Sequence, residues 1–133
     1  MIRSKKQSGF TLVEIMIVVS IIILLAAIAI PSFIRARQRT QGSTTLNGAR
    51  MLDGAVDQWA IENGLDNGAA ITLASLSIYV KPGPMQTTLA GGAAPTDALN
   101  NVYVFATVGN GQLTVNAATK ASLAGVVTDW GPY

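Results

Sequence analysis

The chain has 133 residues, room for one ordinary domain or for a membrane segment with one small domain, but not for two full cores. Half of it is apolar and only 12% is charged, and a mean hydropathy of +0.41 exceeds that of a soluble domain with a charged surface. Nine basic and seven acidic side chains give a net charge of +2, too small to indicate nucleic-acid binding. The lack of Cys and His removes disulfides, thiolate and imidazole metal sites, and the usual general base, so most enzyme chemistry is excluded.

Residues 1–9 carry Arg3, Lys5 and Lys6 and no acid. From Phe10 to Ile30 the only polar side chains are Thr11, Glu14 and Ser20. A helix over these residues is about 32 Å long, the hydrocarbon thickness of a bilayer. The leading cations hold the N-terminus in the cytoplasm and send the rest across, although Arg35, Arg37 and Arg39 on the far side oppose that rule mildly. A secretory signal would share the basic start and the small-x-small spacing of Ala27-Ile28-Ala29, but its apolar core spans only roughly 7 to 15 residues. A plain anchor leaves Glu14 unexplained, because an unpaired charge in lipid costs at least about 2.5 kcal/mol.

Gly9-Phe10-Thr11-Leu12-Val13-Glu14, the apolar run after it and Pro31 together resemble the class III signal of type IV pilins and of the pseudopilins of type II secretion. A short basic leader, a Gly-Phe junction, a carboxylate at one offset and a Pro at another make the motif specific over roughly the first 30 residues. The resemblance implies that a prepilin peptidase cuts between Gly9 and Phe10 and that the new Phe10 amine is methylated. Loss of Arg3, Lys5 and Lys6 would then leave the basic side chains one short of the seven acids. It also implies that Glu14 pairs in the bilayer with the Phe10 amine of a neighbouring subunit, neutralising both charges and setting axial register. The simpler alternative is that Glu14 snorkels to the cytoplasmic headgroups.

Pro31 removes one backbone hydrogen bond and is expected to kink the helix without ending it. Leu46, Ala49, Leu52, Val56, Trp59 and Ala60 then recur at helical spacing, an apolar face for a C-terminal domain. Gly42, Gly48 and Gly54 each weaken this stretch by about 1 kcal/mol relative to Ala, and Asn63-Gly64 reads as its C-cap. Many pilins have a Gly within the membrane helix where this chain has Ile23, which bears on any unwinding before Pro31. Arg35 and Arg39 share a helix face from which Arg37 points away, without interleaved aromatics, so lipid headgroups and subunit contacts suit them better than a nucleic acid.

Beyond Gly64, Thr72 is expected to cap a short helix reaching Tyr79, and Lys81-Pro82-Gly83-Pro84 to form a turn. Residues 102–108 read as the clearest strand, with Gly109-Asn110-Gly111 as a tight connection and 112–116 as the second arm of a hairpin. Residues 117–124 read as one or two helical turns, and 126–128 as a third strand. Asp97, Asn100 and Asn101 offer oxygen ligands, as in calcium-binding pseudopilins, but the acidic spacing of a calcium loop is absent. Asp129-Trp130 reads as a turn carboxylate beside a packed aromatic.

The expected fold class is α+β and pilin-like: a long N-terminal helix, membrane-spanning then amphipathic, packed on a small antiparallel sheet. The organisation is a cleaved leader (1–9), a transmembrane and filament-core helix (10–30), its amphipathic continuation (31–64) and a small globular part (65–133). The resemblance implies a non-enzymatic, cofactor-free subunit of a type IV pilus-like homopolymeric filament. Its partners would be other copies, the prepilin peptidase, an inner-membrane assembly platform and, before assembly, the bilayer. It would sit in the inner membrane with a cytoplasmic N-terminus and later in a surface filament, or in the periplasm as a major pseudopilin. A non-polymeric membrane-anchored or secreted binding domain is the alternative of another class.

Overall fold

The computed structural model describes residues 9–109, 111–127 and 129–133. Arg3, Lys5 and Lys6 of the expected leader, Asn110 of the expected hairpin connection and Thr128 lie outside the described residues. The fold is α+β, dominated by helix α1 (Leu12–Glu62), whose assigned span includes Pro31. Compact units divide between Ala36 and Arg37. From Leu12 onward the N-terminal unit is helix with large apolar side chains exposed as far as Ile34, and the most apolar window of α1 has a mean hydropathy of 3.0 with none of it buried.

In the C-terminal unit the expected packing face is present. Ala49, Leu52, Val56, Trp59 and Ala60 are buried, at the three-and-four spacing of one helical face. Leu46 is only half-buried, and Thr45 occupies the buried position beside it. The helix ends in a Schellman motif: Gly64 has φ of +61°, its N–H reaches the Ile61 carbonyl, and Leu65 N–H reaches Ala60 O at 2.9 Å.

The α1 face packs on Leu76, Val80, Leu89, Tyr103, Leu113 and Val115. Leu76 lies on α2 (Leu73–Leu76), continued by a 3-10 turn (Ser77–Tyr79); Thr72 precedes it, but its side chain makes no capping bond. Leu89 lies on α3 (Pro84–Ala90), a helix absent from the sequence expectations. Its start signal is Pro84 at the first turn, where a missing N–H has no cost.

The hairpin is present but short, β1 (Val104–Phe105) pairing antiparallel with β2 (Leu113–Thr114), with Val104 opposite Thr114 and Phe105 opposite Leu113. The continuous strand expected over 102–108 is corrected, because that segment changes partners along its length. Val102 bridges to Thr96 and Thr107 to Ala70, leaving two residues for the β2 ladder. The expected third strand is also corrected at its described residues. After α4 (Ala117–Ser122), the N–H groups of Val126 and Val127 both turn back to the Leu123 carbonyl, at 2.9 and 2.8 Å, and are lost to a ladder.

Candidate assembly segment

At its start the N-terminal unit resolves its polar groups one by one. Thr11 caps α1: its Oγ1 accepts the Glu14 N–H at 3.2 Å and its carbonyl accepts the same group at 3.1 Å. Thr11 and Glu14 thus stand at the two ends of the Thr-x-x-Glu capping pattern, a signal the sequence reading did not use. Further along, Ser20 Oγ donates to Met16 O at 2.7 Å and Ser32 Oγ to Ala29 O at 3.1 Å, so both hydroxyls are satisfied within the helix. The Glu14 carboxylate differs. It is exposed among exposed Leu12, Val13, Ile15 and Ile17, without a hydrogen-bond or ion-pair partner among the described residues. Its position in the first turn suits a negative charge through the helix dipole, worth about 0.3 to 1 kcal/mol, less than the cost of an ionised group in lipid.

Gly9 and Phe10 precede the helix in irregular, exposed backbone, Phe10 at 80% exposure, and a Cβ at Gly9 would meet nothing. Pro31 has no N–H, so the Ala27 carbonyl one turn earlier loses its helical donor. Arg35, Arg37 and Arg39 are all exposed.

In the C-terminal unit the three oxygen-bearing residues considered for calcium form a structural network. Asp97 is buried; Oδ1 accepts the N–H groups of Leu99 (2.8 Å) and Asn101 (3.0 Å), and Oδ2 accepts the Thr119 hydroxyl. The Asn101 amide donates to Thr119 Oγ1 at 2.8 Å, and Asn100 adopts a left-handed φ of 63° in the turn between them. Asp129 Oδ1 accepts Gly131 N–H at 2.8 Å, and Trp130 is half-buried against the core, the expected turn carboxylate and packed aromatic.

Three tyrosines join distant segments. Tyr103 Oη donates to the Thr45 carbonyl at 2.8 Å, and burial, then the Asp97 charge, pushes its pKa up to about 12. Tyr79 donates to Glu62 at 2.6 Å, a bond that raises its pKa. Tyr133 donates to Asp53 Oδ2 at 3.2 Å and is raised chiefly by burial, with the Asp53 charge next. Sequence reasoning missed these links, which join positions far apart in the chain and carry no local pattern.

Residues 4–30 match the family described as the prokaryotic N-terminal methylation motif. The chain is 45% identical over 67 residues to fimbrial protein EcpC of Eikenella corrodens, covering 48% of this chain and 44% of that protein. It is 30% identical over 114 residues to a fimbrial protein of Neisseria meningitidis, covering 86% of this chain and 57% of that one. Against type II secretion system core protein G of Aeromonas hydrophila it is 28% identical over 61 residues, 46% of this chain and 43% of the other. The chain thus spans about half the length of the relatives it matches. No solved structure is significantly similar to it. The N-terminal segment accordingly carries the methylation motif, and the proteins the chain is similar to include both fimbrial proteins and a type II secretion core protein.

Proposed function

We propose that the chain is a non-enzymatic structural subunit of a type IV pilus-like filament, polymerised through the apolar half of α1. The observation that carries this reading is Glu14, an ionisable side chain in an exposed apolar helix without a partner among the described residues of its own chain. A prepilin peptidase removes residues 1–9 and methylates Phe10, and the Phe10 amine of one copy then meets Glu14 of another. The apolar surface from Phe10 to Ile34 passes from the bilayer of the inner membrane into the filament core as an assembly platform adds copies. Pro31 supplies the point at which the helix bends or unwinds during that transfer.

Likeness to a type II secretion core protein supports a second reading, a major pseudopilin acting in the periplasm. Electron microscopy of sheared surface material, with mass spectrometry of its subunits, separates the two. Filaments built of this chain support the pilus; loss of secretion on deletion, without surface filaments, supports the pseudopilus. A soluble monomer cut after Ala29 contradicts both.

A further inference from the structure

Within the C-terminal unit, one flank of α1 beside the core face carries charges in two blocks of opposite sign. Arg39 and Arg50 come first, Asp53 and Asp57 after them; both arginines and Asp57 are exposed, and Asp53 is half-buried. Arg39 and Asp57 stand about five whole helical turns apart, roughly 27 Å, and therefore project in the same direction. Arg50 and Asp53 fall within about 40° of that line.

The acidic block is held by a donor of its own. Gln112 is buried, and its Nε2 donates to Asp53 Oδ1 at 2.9 Å and Asp57 Oδ1 at 2.7 Å. Its Oε1 accepts Gly109 N–H at 3.0 Å, which fixes the amide with its NH2 toward the carboxylates. The other hydrogen-bond partner of the pair is the Tyr133 hydroxyl, so both donors among the described residues are neutral; Arg50 lies near enough to act on Tyr133 but donates to Asn47 Oδ1 at 3.4 Å, and one such cation does not balance two carboxylates. Two like charges drawn together by neutral donors leave a potential that a guanidinium, with its planar fork of N–H groups, suits well.

We infer that Arg39 of a second copy docks on the Asp53–Asp57 pair, with the copies displaced by about 21 to 27 Å along the helix direction. This rests on the filament reading and names a contact made outside the apolar helix bundle. Parallel, identical copies in a linear assembly repeat such a contact at every step, because each supplies an arginine on one side and the carboxylates on the other.

The chain has no cysteine, so an engineered pair reports without background. Chains carrying Arg39→Cys and Asp57→Cys together should form an oxidised multimer ladder in sheared filaments, whereas either substitution alone should stop at dimers. Filaments that assemble from the double variant without a ladder would overturn the inference and leave the filament reading intact; a wild-type chain that makes no filament would overturn both. Should the double variant fail to assemble, charge reversal decides. Arg39→Glu should lower filament yield about tenfold or more at an unchanged membrane pool, through like-charge repulsion at each contact. Adding Asp57→Arg to the same chain should restore it. An unaltered yield from Arg39→Glu, a fall confined to the membrane pool, or no rescue would assign Arg39 to solvent or lipid headgroups and refute the contact.

Discussion

Tyr103 reaches the backbone of α1 through the space left by Gly48: its hydroxyl donates to the Thr45 carbonyl at 2.8 Å, and a Cβ at Gly48 would collide with that oxygen. A glycine that weakens the isolated helix therefore permits a contact between segments far apart in the chain. Gly54, on the same helix, has nothing within 4 Å of a would-be Cβ.

The two glycines should respond oppositely to alanine. Helix propensity favours Ala by about 1 kcal/mol at both. At Gly54 that gain should appear as a rise in stability of about 0.5 to 1 kcal/mol. At Gly48 the collision with Tyr103 should outweigh it, for a net loss of about 1 to 3 kcal/mol. Urea denaturation of the fragment 37–133 measures both.

Alkaline pH should weaken the C-terminal unit through Tyr103. Its folded pKa is raised from 10.0 to about 12. Below pH 10 both states hold the proton and the contribution is complete. As pH rises from 10 toward 12 the unfolded chain releases the proton while the folded chain keeps it, and stability falls by on the order of 2 kcal/mol in all. Tyr103→Phe should lower stability at pH 7 by about 0.5 to 1.5 kcal/mol through the lost hydrogen bond and flatten the decline.

Trp59 is 8% exposed and joins the face of α1 to the core. Trp59→Ala should cost about 3 to 5 kcal/mol, a large share of a small domain's stability. An unchanged melting temperature of the fragment would contradict the packing of this face.

Processing should yield a chain that begins at a methylated Phe10, measured by intact mass and N-terminal sequencing. Gly9 is exposed and borders no other group, so a bulky substitution there should leave the fold unchanged and the precursor uncut. A mature chain beginning at Ile30 would indicate ordinary secretion instead.

The elements legible in the sequence are those governed by local rules. The apolar run, the amphipathic face at Ala49, Leu52, Val56 and Trp59, and the Asn63-Gly64 stop all follow from helical periodicity and capping, and all are present. Residues 102–108 have the composition of a strand, yet strand length depends on partners, and three short neighbours share this one. Helix α3 went unread because its Pro84 lies in a Pro-Gly-Pro run that announces a turn as loudly as a helix start. At the assembly segment, Glu14 stands out by the cost of its charge in an apolar run, whereas the hold of Gln112 on Asp53 and Asp57 is a product of tertiary folding alone.

The claim that Glu14 exists to meet the Phe10 amine of another copy is tested most directly by the filament yield of Glu14→Ala and Glu14→Gln, measured together with the membrane pool by immunoblot. Both variants should insert and be processed at normal levels, since removing a charge eases insertion, and both should give few filaments, Gln included because it keeps the shape but not the charge. Normal filament yield from both at equal membrane levels would contradict the account, leaving Glu14 to snorkel to the headgroups and packing alone to set the register.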